Sequence, residues 1–109
     1  MFIALTLTRD LAVAVHPLTL AIRAHDPDLA DQLRRAVTSV VLNTAEGVGR
    51  RGRDRAARYR IATGECHELT AGLELAAALG HVPADATAPA LRLADRVRAL
   101  LYRLQHPRA

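Results

Sequence analysis

The sequence predicts an all-α protein, an up-down antiparallel four-helix bundle with a proline-kinked first helix. Three observations predict it. Alanine, leucine and arginine dominate, and all three favour helices. The aromatics are Phe2, Tyr59 and Tyr102, the β-branched residues are scattered, and no Asn-Gly or Asp-Gly hairpin signal occurs. Apolar residues recur with a helical period in four segments joined by short breaks. With 109 residues the chain predicts one domain, residues 1–109.

The first segment places Leu11, Val15, Leu18 and Ile22 on one face, with Pro17 inside the pattern to kink it. In "HDPD", Asp26 is a natural N-cap for the second helix and Pro27 fits its first position. The second segment carries Leu29, Leu33, Ala36, Val40, Asn43 and Gly47 on one stripe. Helical spacing offers the ion pairs Asp31–Arg35 and Glu46–Arg50. The third runs from about Arg53 to Leu79, with Tyr59, Ala62, Cys66, Leu69, Leu73 and Ala76 as its stripe. Gly80 suits a left-handed C-cap, and Pro83 stops continuation. "VPADATAP" looks like the one loop of any length, and the fourth helix begins near Asp85 to Pro89. Its stripe is Leu91, Ala94, Val97, Leu101 and Leu104. Short connections make neighbouring helices antiparallel. A core so rich in alanine buries little apolar area per residue, which points to self-association.

All 15 basic residues are arginine, against 11 acids, for a net charge of +4. Arginine's planar fork suits phosphate. Between Gly49 and Ile61 stand Arg50, Arg51, Arg53, Arg55, Arg58 and Arg60. Gly47, Gly49 and Gly52 also spell G-x-G-x-x-G, the pattern of a dinucleotide loop. That loop needs a strand before it, and a helical pattern stands there instead, so no nucleotide cofactor is expected. The glycines read as the turn between the second and third helices. On the third helix, Arg51, Arg55 and Arg58 project toward the side of Leu69 and Leu73, and Arg53 and Arg60 away from it. Asp54 can pair with Arg58.

Neither catalytic nor metal-ligating residues emerge. "GECHEL" lacks the Glu-x-x-His spacing of di-metal bundles, Ser39 is the sole serine, and Cys66 falls on a buried stripe. A single cysteine points to a reducing, cytoplasmic setting. Arg9 and Asp10 interrupt the apolar start, so neither a signal peptide nor a membrane span is expected.

The run from Arg34 to Val82 resembles the four-helix bundle proteins of the 23S ribosomal RNA intervening-sequence family, which includes the accessory variability determinant of diversity-generating retroelements. The resemblance is carried by Arg35-Ala36, Ser39, Asn43, Ala45-Glu46-Gly47, Gly49-Arg50, Ile61-Ala62, Gly64, Glu68-Leu69 and Leu79-Gly80, in order and at matching spacing. It implies a homo-oligomer, commonly a pentamer, with no known catalysis. In the retroelement branch it implies a reverse transcriptase and its template RNA as partners. The chain departs from many members at Val41, where they carry proline, and at Glu65, where they carry serine. At Arg58 they usually carry an aromatic or aliphatic residue.

Two functions follow as expectations. The first is a non-enzymatic oligomer that binds RNA or DNA phosphates through Arg34, Arg35, Arg50, Arg51, Arg53, Arg55, Arg58 and Arg60. The second is an adaptor or accessory subunit that docks an acidic protein without touching nucleic acid. Asn43, Glu46, Gly47, Gly49, Gly64 and Glu68 are assigned structural roles.

Overall fold

The computed structural model describes residues 2–107. Four helices follow in order: α1 (Phe2–Arg23), α2 (Pro27–Val48), α3 (Gly52–Ala78) and α4 (Ala84–Gln105). Each packs on two neighbours in the cyclic order α1, α2, α3, α4. At 45 × 22 × 19 Å, the molecule is one helix long and two helices across. Antiparallel pairing shows in the contacts between helices. Gln32 of α2 meets Glu68 of α3, whereas Asn43, further along α2, meets the earlier Arg58. Gln105 meets Thr63 and Arg98 meets Thr70 across α3 and α4 in the same opposed sense.

All four helices share one core. Leu11, Val15 and Ile22 meet Leu33 and Val40, Leu69 and Leu73, and Val97 and Leu101, with Ala30, Ala62, Ala90 and Ala94 between them. The stripe expected for α3 is buried at all six positions. On α2 the stripe runs through Thr44 to Gly47, and Asn43 lies half-buried at its flank. On α4, Thr87 and Ala90 are buried where Leu91 was expected, and Leu91 and Leu104 pack at the edge.

The chain turns by local chemistry. Asp26 Oδ1 accepts the Leu29 N–H at 3.1 Å, and Pro27 opens α2. Gly80 adopts φ +78°, and the His81 and Gly80 N–H groups bond back to the Ala76 and Ala77 carbonyls. That is the two-bond left-handed stop expected of glycine there. At the same end His25 and His81 stack at 5.4 Å, and His81 Nε2 lies 3.7 Å from Asp26 Oδ2. Replacing Asp26 by alanine removes both contacts and lowers stability by about 1 kcal/mol, measured as a shift of the urea midpoint with unchanged slope.

Two expectations fail here. "VPADATAP" is not a long loop, because α4 begins at Ala84 and contains Pro89. Pro89 and Asp85 are both exposed, so the Asp85 carbonyl, deprived of its helical donor, meets water. Asp31 pairs not with Arg35 but with Arg23 of α1, at 2.6 Å, and this bond holds the Asp31 carboxyl below its usual range.

α1 also begins earlier than its apolar period announced, at Phe2, with Ala4 and Leu7 in the core. By length and composition alone, Ile3–Arg23 is the one helix among the described residues long and apolar enough to cross a membrane. Its inner face lies in the core, through Leu11, Val15 and Ile22.

Candidate nucleic-acid interface

The arginine-rich stretch lies at one end of the bundle, where α2 turns into α3 through Gly49, Arg50 and Arg51. The three glycines there have separate tasks. Gly47 sits in the last turn of α2 against the ring of Tyr59, and a Cβ there would lie 2.4 Å from Tyr59 Cε1. Gly49 caps α2 in ordinary helical geometry. Gly52 takes φ +58°, the left-handed conformation that reverses the chain into α3. Helix precedes Gly47, so the G-x-G-x-x-G spacing builds no strand-led phosphate loop.

The arginines divide by what holds them. Arg50 spans the turn: its guanidinium bonds Glu46 Oε2 at 2.9 Å and Asp54 Oδ2 at 2.7 Å, tying α2 to α3. Those two carboxylates, Asp54 foremost, raise the Arg50 pKa, and Arg50 in turn holds Asp54 low. The expected Glu46–Arg50 pair therefore forms, and Asp54 takes Arg50 rather than Arg58. Arg55 folds back over the end of α2. Its Nε donates to the Arg50 carbonyl at 2.7 Å and to the Gly47 carbonyl at 3.0 Å, and Nη2 donates to the Val48 carbonyl at 3.3 Å. It thus supplies a donor to the Val48 carbonyl at the helix end and to the Arg50 carbonyl in the turn, and a second one to the Gly47 carbonyl, which also accepts the Arg50 N–H. Arg58 reaches Asn43 Oδ1 at 3.5 Å, while the Asn43 amide donates to the Ser39 carbonyl and hydroxyl.

Arg51, Arg53 and Arg60 are exposed and have no ion-pair partner among the described residues. Arg51 caps α3 in extended backbone, so it precedes the helix instead of sharing a face with Arg55 and Arg58. Arg55 and Arg58 are half-buried and Arg53 and Arg60 exposed, as the helical projection expects. From Glu46 to Arg60, six arginines against two carboxylates leave four formal positive charges, equal to the net charge of the whole chain. The excess charge therefore resides at this elbow. Arg34 and Arg35 stand apart, exposed on α2 about 22 Å along the helix from Arg50.

Between α2 and α3, above the elbow, runs a row of polar contacts that the sequence did not reveal. Gln32 donates to Glu68 Oε1 at 3.3 Å. The Glu65 carboxyl is pushed up, first by burial and then by Glu68 beside it, while a bond from Ser39 opposes the rise. Gly72 opens a notch over Leu33 in the same groove, lined by Leu29, Ala71 and Leu75. Gly64 sits exposed in the middle of α3, with no other atom within 4 Å of where its Cβ would stand. Cys66 is buried beside the Ala94 carbonyl, and burial raises its thiol to about 11. No group of three or more histidine, cysteine or acidic side chains among the described residues could hold a metal ion.

Comparison with known proteins agrees with this architecture. The family model described as 23S rRNA-intervening sequence protein matches residues 2–103, and so extends the likeness seen over residues 34–82 into α1 and α4. A protein of unknown function from the S23 ribosomal protein family of Bacteroides thetaiotaomicron superposes with a TM-score of 0.85. The two are 19% identical, over 94% of this chain and 97% of that one. No curated protein matches the sequence.

Proposed function

The chain belongs to the 23S rRNA-intervening sequence protein family, and on that premise we propose that it is a non-enzymatic, self-associating bundle that binds RNA or DNA phosphates through the α2–α3 elbow. The carrying observation is the division of the arginines. Arg50 and Arg55 build the elbow, and Arg51, Arg53 and Arg60 extend from it exposed and unpaired among the described residues. Guanidinium groups fixed on a rigid turn meet backbone phosphates with little regard to sequence. With three aromatics in the chain, base stacking is not the main mode. Arg34 and Arg35 serve as a secondary contact along α2.

Resemblance to the retroelement accessory proteins supports a finer version, in which a homopentamer carries template RNA alongside a reverse transcriptase. The test is fluorescence anisotropy with a labelled RNA duplex and a scrambled duplex across 50–200 mM salt. The logarithm of affinity falls linearly with the logarithm of salt and equally for both sequences. A salt-independent affinity overturns the reading.

A second reading has its own observation. Leu42 and Ile61 are 58% and 47% exposed, on the helices that meet at the elbow. A mixed apolar and cationic surface suits an acidic protein groove. Capture of a partner that survives nuclease treatment favours this adaptor reading.

A further inference from the structure

A cavity of about 400 Å³ lies at the elbow end of the bundle, where the start of α3 meets the end of α4. Gly52, Arg55 and Ala56 line it from α3, and Arg103, Leu104 and Pro107 from the end of α4. Its volume falls among those of small-ligand sites, roughly 300–1,000 Å³. Two arginines line it and no carboxylate does. Other cavities are balanced in charge. The one along α2 at Gly49 holds Glu46 with Arg50, and the one between α1 and α4 holds Asp10 with Arg96.

The two arginines are prepared to meet an anion. Arg55 Nε and Nη2 are held by the Gly47, Arg50 and Val48 carbonyls, so its guanidinium is fixed while Nη1 has no partner among the described residues. A donor fixed in advance loses little freedom when it binds. Arg103 stands exposed in the last turn of α4, without an ion-pair partner among the described residues. Two like charges over one cavity repel. Arg50 escapes that cost through Glu46 and Asp54, but Arg55 and Arg103 have no such carboxylates. No side chain caps the start of α3 at the cavity wall, and open N–H groups there favour negative charge as well.

We propose that this cavity holds the terminal phosphate of an unpaired nucleic-acid strand. Arg55 Nη1 and the Arg103 guanidinium donate to its oxygens, and the first sugar and base rest on Ala56, Leu104 and Pro107. A terminal monoester carries about −1.5 to −2 charges near neutral pH, against one for a phosphate within the chain, and so matches two arginines. A base laid on that apolar wall has to be free of a pairing partner. Arg51, Arg53 and Arg60 lie outside the cavity and are left for the phosphates that follow. The inference rests on the nucleic-acid reading above and adds to it a preference for one kind of strand end.

The test uses the full chain and a short oligouridylate, labelled at one end and carrying phosphate or hydroxyl at the other. By anisotropy in about 100 mM salt, the phosphate-ended strand binds about tenfold tighter than the hydroxyl-ended one. Arg103→Ala brings the ratio close to one. Its side chain is exposed and without an ion-pair partner among the described residues, so the variant folds. Arg92→Ala removes an exposed arginine elsewhere on α4 and keeps the wild-type ratio. A blunt duplex gains nothing from a terminal phosphate. Equal affinities for the two strand ends, a ratio lowered as far by Arg92→Ala as by Arg103→Ala, or the same gain on the blunt duplex overturns the strand-end site. If both strands still bind with the usual salt dependence, the elbow reading stands without it; if neither binds, both fall. Loss of the preference in micromolar uridine monophosphate or inorganic phosphate assigns the cavity to a free anion and also overturns the inference.

Discussion

Gly47→Ala lowers the unfolding free energy by about 2 kcal/mol, the usual cost of an added methyl in a close-packed core. The new Cβ would lie 2.4, 2.8 and 2.9 Å from three atoms of the Tyr59 ring. That ring is 1% exposed, so it has no solvent to retreat into. Alanine's better helix propensity offsets part of the loss, up to about 1 kcal/mol. The melting temperature falls by roughly 4–8 °C per kcal/mol for a domain near this size. A second change identifies the cause. Tyr59→Leu is destabilising by itself, but in the double variant with Gly47→Ala the two losses do not add, because the shorter side chain leaves room for the methyl. Additive losses, or a Gly47→Ala protein with the wild-type midpoint, would mean that the ring does not fix the angle between α2 and α3. The elbow's shape would then need another explanation.

That contact illustrates what the sequence could and could not yield. The stripe of α3 was legible position by position, because polar residues flank each buried one and give the period contrast. The start of α1 was not, since Ile3, Ala4, Leu5 and Leu7 are apolar on every side and no face stands out. On α2 a 3.6-residue period allows either Asn43 or Thr44 at the stripe. Packing buries Thr44, and Asn43 stays at the flank, where its amide bonds Ser39. Ion pairs were legible only at four-residue spacing along the chain. Glu46–Arg50 follows from spacing, whereas Arg23–Asp31 crosses a turn, and Arg50 outcompetes Arg58 for Asp54 because the chain folds at Gly52.

The candidate site shows the same boundary. Arginine density located the elbow, and the free and the structural arginines look alike in sequence. The three carbonyls that Arg55 engages exist only once α2 has ended beside α3. Glycine spacing was ambiguous for a related reason. Gly47 answers to a ring, Gly52 to a dihedral angle, and Gly64 to nothing within the chain. Membership in the family accounts for the fold, and the division of labour among the arginines comes from the geometry.

The division implies the second large effect. Arg51→Ala/Arg53→Ala/Arg60→Ala leaves the thermal midpoint nearly unchanged, because none of the three side chains makes an ion pair among the described residues. Nucleic-acid affinity changes greatly. Each phosphate contact adds about 0.9 to the salt slope on duplex DNA, so losing three lowers the slope by about 2.7. If wild-type and variant affinities converge near 200 mM salt, the variant is then about 40-fold weaker at 50 mM. Arg55→Ala has the opposite signature. It removes the guanidinium bonds to the Gly47, Val48 and Arg50 carbonyls and costs stability first, by about 1–2 kcal/mol since water replaces part of what is lost. Anisotropy and urea denaturation on the same two variants separate the roles. A triple variant that keeps the full salt slope would move phosphate binding away from the elbow, to Arg34 and Arg35, or to a protein partner in place of nucleic acid.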